Sequence, residues 1–163
     1  RRFNERYAPV FPEPEGVLSD VFEVPGLDGR KMSKSYKNGI SLCMTADETA
    51  KIIKKSPTDS DRNITFDREN RPGVSALLTT AALCSGRTEA DIAAEIGDGG
   101  GGTLKAFVTE AVNDYFAPIR ARREELARDL DYVKDVLHEG NRKANEIANA
   151  TLGEVNEAMG MVY

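Results

Sequence analysis

One histidine, two cysteines and no apolar stretch near the ~20 residues of a membrane span leave this 163-residue chain short of material for several chemistries. His138 stands alone, so a multi-histidine metal site is excluded, and a Ser-His-Asp arrangement would hang on one residue inside a helical pattern. A structural or solvent-facing role suits it better. Cys43 and Cys84 are isolated; they form neither a metal-binding spacing nor a disulfide framework, and read as buried thiols in a reducing cytoplasm. No charged region followed by an apolar one opens the chain, so the expectation is a cytoplasmic protein, neither membrane-embedded nor exported. A formal net charge of -5 argues against wrapping nucleic acid over the whole surface, while a local basic face remains compatible. Gly99-Gly100-Gly101-Gly102 has no strand before it and no P-loop lysine spacing after it, so it is expected to be a hinge and not a phosphate cradle.

What is present is concentrated in five residues. Lys31-Met32-Ser33-Lys34-Ser35 sets two ammonium groups beside two hydroxyls on a segment too short and too polar for a core. Gly29 precedes it and Asn38-Gly39 follows, which gives the loop hinges at both ends. From Arg30 to Lys37 the charges are Arg30, Lys31, Lys34 and Lys37, with no acid among them. Such a loop suits a polyphosphate, because lysines act as mobile point charges while hydroxyls and backbone N–H groups donate to phosphate oxygens. A solvated basic loop is the bland alternative for an arbitrary K-x-x-K pentamer.

Around the loop the pattern is mixed first and helical afterwards. Pro9, Pro12 and Pro14 impose an extended connector, Val17 to Val24 is compatible with a strand, and Ile40 to Met44 is a second short apolar piece. Thr45 with Glu48 predicts a capping box opening a helix to about Lys55. A polar loop follows to Arg71, then Pro72-Gly73 starts a helix ending near Gly86, and Thr88 caps a short one to Ile96. Thr103 is expected to cap a long helix kinked near Pro118, and the last helix carries Val133, Val136, Leu137, Ala144, Ile147, Ala148 and Val155 as a buried stripe. The expected core is Leu77, Leu78, Leu83, Phe107, Val108, Val112, Tyr115, Ile119, Val133 and Leu137.

The pentamer reads as the second signature of class I aminoacyl-tRNA synthetases, and the blocks around it resemble the C-terminal half of the bacterial tryptophanyl-tRNA synthetases. Those blocks are Pro25-Gly26-Leu27-Asp28-Gly29-Arg30, then Asn38 with Ile40 and Leu42, Thr58-Asp59-Ser60, and Arg71-Pro72-Gly73-Val74-Ser75 with Leu77-Leu78. Leu104-Lys105, Pro118-Ile119-Arg120, Gly140-Asn141-Arg142-Lys143-Ala144 and Met159-Gly160 continue in the family's order and spacing. Ala76 stands where the family commonly has Asn, and Asn141-Arg142 departs within the G-A-x-K-A block.

The resemblance implies a mainly α chain: a helical domain of the anticodon-binding type, plus the signature-loop remnant of a Rossmann-like α/β catalytic domain. Residues 1–44 would be the remnant, with one or two strands. Residues 45–163 would be the helical domain, its last helix packing back on the catalytic part. It also implies ATP as nucleotide, Mg²⁺ on its phosphates with no protein ligands identified, and tRNA(Trp) and tryptophan as partners of a homodimeric full-length ligase. Lys31 and Lys34 would be the catalytic pair, and Lys31, Met32, Ser33, Lys34 and Ser35 the nucleotide contacts. The family's first signature, His-Ile-Gly-His, requires two histidines, so the chain is expected to be a fragment that is inactive alone. Two other readings stay open: a non-catalytic helical tRNA-binding module, or a helical interaction protein with an incidental basic loop. For tRNA the candidate cations are Arg120, Arg122, Arg123, Arg128, Arg142 and Lys143, interleaved with acids as on an ordinary salt-bridged face.

Overall fold

The computed structural model describes residues 1–18 and 24–161. Two compact units are present, Arg1–Leu18 with Glu125–Tyr163, and Ser19–Glu124. The helices are α1 (Arg2–Arg6), α2 (Ala46–Lys55), α3 (Pro72–Ser85), α4 (Glu89–Ile96), α5 (Gly100–Ala127) and α6 (Leu130–Ala158). No helix among the described residues is long and apolar enough to cross a membrane.

Local chemistry explains most helix ends in the second unit. Thr45 caps α2 reciprocally: its hydroxyl accepts from the Glu48 N–H at 3.2 Å and its own N–H donates to the Glu48 carboxylate at 2.8 Å. Proline opens α3, and Gly86 ends it in the left-handed region at φ 68°. Thr88 caps α4 by accepting from the Asp91 N–H at 3.1 Å. The core then assembles α3 on α4 and α5, with Val74, Leu77, Leu78, Ala81, Ile92, Leu104, Val108 and Val112 essentially inaccessible. Leu27 joins the same core and Ile40 packs against it, so the residues flanking the basic loop share the helices' apolar interior.

Several expectations are corrected. Among the described residues there is no strand, only an isolated antiparallel bridge between Pro25 and Lys31. The expected strand over Val17–Val24 falls largely on residues 19–23, outside the described residues, while Val17 and Leu18 are exposed coil. Ladder bonding is unavailable near the bridge because the Gly26 and Leu27 N–H groups donate to the Arg30 and Asn38 carbonyls, and Pro25 has no N–H. Ile40–Met44 is a turn closed by the Met44 N–H donating to Ser41 O at 3.0 Å. The glycine run is not a hinge: α5 already begins at Gly100, three residues before the expected cap. Here the Gly100 N–H donates to Arg62 O at 2.9 Å, and a Cβ on Gly101 would stand 2.8 Å from Thr58 Oγ1. The polar loop therefore packs on bare backbone, which only glycine supplies.

The core is also smaller than periodicity suggests. Leu77, Leu78, Val108 and Val112 are buried as expected, Phe107 and Val133 are only partly covered, and Leu83, Tyr115, Ile119 and Leu137 are exposed. α6 has no buried residue, so its apolar stripe is solvent-facing, Ile147 at 71% exposure. A repeat fixes which residues share a face but not how far along the helix a partner extends. Cys43 is exposed and Cys84 partly covered, so neither is the buried thiol expected; burial does raise the Cys84 pKa. Leu104→Ala should cost about 2–5 kcal/mol in urea unfolding, because it leaves a cavity, whereas Leu83→Ala should cost ~1 kcal/mol. Equal losses would overturn this core assignment.

Candidate functional site

The basic loop is held from within by one buried carboxamide. Asn38 is 6% exposed, and its Nδ2 donates to Asp28 Oδ1 at 2.8 Å and to Lys31 O at 3.1 Å. Its Oδ1 accepts from the Ser33 N–H at 2.9 Å, and its carbonyl accepts from the Leu27 N–H at 2.8 Å. One side chain thus grips the loop on both sides of Met32 and ties it to the preceding turn. Room for it comes from Gly26, where a Cβ would lie 2.1 Å from Asn38 Nδ2.

Asp28 completes the arrangement and sets its charge. The Asn38 amide, followed by the Arg30 guanidinium and N–H, holds the Asp28 carboxyl at about 2. Arg30 pairs with Asp28 at 2.7 Å and lies over the Tyr36 ring at 4.9 Å. So although no acid occurs from Arg30 to Lys37, Arg30 is neutralised by a carboxylate two residues before it. Lys31 and Lys34 are exposed, and no carboxylate among the described residues lies within salt-bridge reach of either. Lys37 is likewise exposed and has no carboxylate partner among the described residues, so Lys31, Lys34 and Lys37 carry the loop's available positive charge.

The backbone donors are mostly committed. The Ser35 N–H donates to Ser33 Oγ at 3.2 Å, and the Tyr36 and Lys37 N–H groups close turns on Ser33 O and Lys34 O, both at 3.2 Å. Lys37 ends this turn in the left-handed region at φ 53°, a strained conformation for a residue with a Cβ. Anion contacts from the loop therefore fall mainly to its lysine ammonium groups and the Ser33 and Ser35 hydroxyls. Met32 turns away from them, into an apolar groove of about 320 Å³ with Leu27, Ile40, Leu83, Tyr115 and Phe116. Gly39 lets Met32 approach, since a Cβ there would sit 3.0 Å from Met32 Cγ.

The loop is seated on α3. Gly29 has φ +79°, and a Cβ on it would meet the Pro72 backbone at 3.0 Å. Pro72 is placed in turn by Arg71, which forks onto Asp59 at 2.8 and 2.6 Å and donates to Asn63 O at 2.6 Å and Thr65 Oγ1 at 2.8 Å. This hydrogen-bonded pairing lowers the Asp59 pKa and raises that of Arg71. Asp28, Asp59 and Arg71 are the residues whose importance sequence reasoning understated. The D-x-R spacing at Asp28 was the legible signal, whereas the Asp59–Arg71 pair spans a loop that periodicity does not describe.

Among the proposed tRNA cations, Arg120 turns inward, donating to Asn113 Oδ1 at 2.8 Å and Thr49 Oγ1 at 2.9 Å. Arg142 pairs with Glu139 and Glu146, and Lys143 with Glu139. These residues form the salt-bridged surface expected of alternating charge. Among the described residues no three His, Cys, Asp or Glu side chains converge.

Residues 1–117 match the family model described as tRNA synthetases class I (W and Y). A tryptophan–tRNA ligase of Aquifex aeolicus is 34% identical over 99% of this chain and 42% of its own length. Another, of Thermosynechococcus vestitus, is 39% identical over 97% of this chain and 50% of its own length. The tryptophanyl-tRNA synthetase of Campylobacter jejuni, solved with ADP and tryptophan, superposes with a TM-score of 0.72 at 31% identity, over 98% of this chain and 50% of that one. The chain spans about half the length of the curated relatives it matches.

Two outcomes test the carboxamide hub. Asn38→Ala should destabilise the second unit by about 1–3 kcal/mol, the cost of losing three part-buried hydrogen bonds. It should also move the Asp28 pKa from about 2 back toward 3.8 in a carboxyl NMR titration, because the Asn38 amide is its largest cause. A carboxyl depressed on folding stabilises above its ordinary pKa. The Asp28 contribution should therefore be complete above about pH 4 and vanish as pH falls through about 2. An unchanged Asp28 titration in the variant would remove Asn38 from this role.

Proposed function

The chain belongs to the class I tRNA synthetases for tryptophan and tyrosine, and on that premise we propose that it supplies the phosphate-handling loop and helical part of a tryptophan–tRNA ligase. The observation that carries this reading is the signature pair Lys31 and Lys34, unneutralised on a loop of four cations in which Arg30 is occupied by Asp28. In this reading residues 1–44 end a Rossmann-like catalytic domain and residues 45–163 form a helical domain of the anticodon-binding type. The complete enzyme would act as a cytoplasmic homodimer on tryptophan, ATP and tRNA(Trp).

The tryptophan carboxylate attacks the α-phosphorus of ATP, the bond to the bridging oxygen breaks, and pyrophosphate leaves. A hydroxyl of the terminal adenosine of the tRNA then attacks the tryptophanyl carbonyl of the adenylate, the mixed-anhydride bond breaks, and AMP leaves. Such displacements depend on positioning and on stabilising charge as it grows on the leaving group. Lys31 and Lys34 would meet the β- and γ-phosphates, with the Ser33 and Ser35 hydroxyls donating to the same oxygens. Met32, anchored in its apolar groove, would hold the loop on the adenine side. Mg²⁺ would accompany the phosphates in this chemistry and neutralise part of their charge.

The loop's charge should act on the transition state more than on tryptophan. In a full-length ligase carrying these residues, Lys34→Ala should slow tryptophan activation by about 10²–10³, as for loss of one transition-state donor, with tryptophan affinity nearly unchanged. Collapse of tryptophan affinity at a preserved activation rate would defeat the assignment. With one histidine in 163 residues, the two histidines of the first signature are not among them. The chain by itself should therefore give no tryptophan-dependent exchange of pyrophosphate into ATP, measured with labelled pyrophosphate.

A further inference from the structure

A second positive element faces the loop from the helical side. A cleft of about 290 Å³ is lined by Pro25, Gly29, Arg30 and Lys31 on one wall and by Arg68, Pro72, Ser75, Ala76 and Thr79 on the other. Its size is at the low end for ligand sites, suited to a small anion and not to a whole nucleotide. No acid lines it, and Arg30 is already neutralised by Asp28. Lys31 and Arg68 thus give the cleft a net positive field, with the positive end of the α3 dipole on the same side.

Arg68 has no carboxylate partner among the described residues; its guanidinium stacks over the Phe66 ring at 5.3 Å. That stacking limits the side chain's freedom without spending its N–H donors, which stay available for a bidentate contact. Its backbone is fixed as well. The neighbouring Asp67 accepts from the Glu69 and Asn70 N–H groups, both at 3.0 Å, and its own N–H donates to Ser75 Oγ at 2.9 Å. The Gly29–Pro72 contact sets the distance between the walls.

We propose that Arg68 is a phosphate-binding residue of the signature-loop site, clamping a polyphosphate against Lys31 from the helical side. The assignment rests on the reading of the loop given above and extends it to a residue outside the signature. Arginine suits this role because its planar fork meets two phosphate oxygens at once, while Lys31 and Lys34 act as point charges.

The test is binding of inorganic pyrophosphate to the 163-residue chain by calorimetry, in low salt where exposed charges are least screened. Arg68→Ala should weaken binding about tenfold, Arg68→Lys by less, and Lys54→Ala, on the far end of α2, not at all. Unchanged melting temperatures would exclude a folding effect. If Arg68→Ala leaves the affinity unchanged while Lys31→Ala weakens it, Arg68 is not in the site and the loop reading stands. If Arg68→Ala weakens it while Lys31→Ala and Lys34→Ala do not, the loop reading fails and the two-walled clamp fails with it. Absence of any pyrophosphate binding, or a loss for tRNA alone in Arg68→Ala, would overturn the assignment to a polyphosphate.

Discussion

The carboxamide of Asn38 is the interaction on which the site depends. It bonds at once to the Asp28 carboxylate, the Lys31 carbonyl and the Ser33 N–H, in a loop with no sheet or helix of its own. A loop rich in like charge tends to open, because its ammonium groups repel and its backbone prefers water. Here the repulsion is reduced by drawing Asp28 against Arg30, and the backbone is satisfied internally by turns on Ser33 and Lys34. What remains outward is the chemistry: the lysine ammonium groups and two hydroxyls.

That loop is useful only if it is held at a fixed place, and the helical core supplies the place. Leu27 enters the core, Gly29 touches the first residue of α3, and Arg71 gathers the polar loop onto Asp59 just before it. The Asp59–Arg71 pair is not a bare surface ion pair. Arg71 is 11% exposed in its side chain and makes a fork plus three further bonds, so geometry and burial favour it where an isolated exposed pair would contribute little. Polar contacts thus join an apolar core to a charged loop without an intervening strand. The same contacts place Arg68 across from Lys31.

Much of this was legible in the chain. The capping residues Thr45 and Thr88, the proline opening α3 and the glycine closing it act within one turn, so local sequence is enough to locate those ends. The five-residue signature and the blocks around it led to the family because they are specific words in a fixed order. The glycine run and the extent of the core depart from the sequence pattern for a common reason. Each turned on what lies opposite a segment, and short-range patterns carry no such information.

Sequence by itself determined the helical character of the chain and the position of the basic loop with its lysines, since these follow from residue type and near neighbours. Only the tertiary structure decided that Asp28 cancels Arg30, that α5 begins on the glycines because Thr58 packs against them, and that Ile119 and Leu137 stay in water. It also brought Arg68 to the cleft of Lys31. These outcomes arise from pairings between residues distant in the chain or from the reach of a packing partner, and a periodicity of 3.6 or a charge count contains neither.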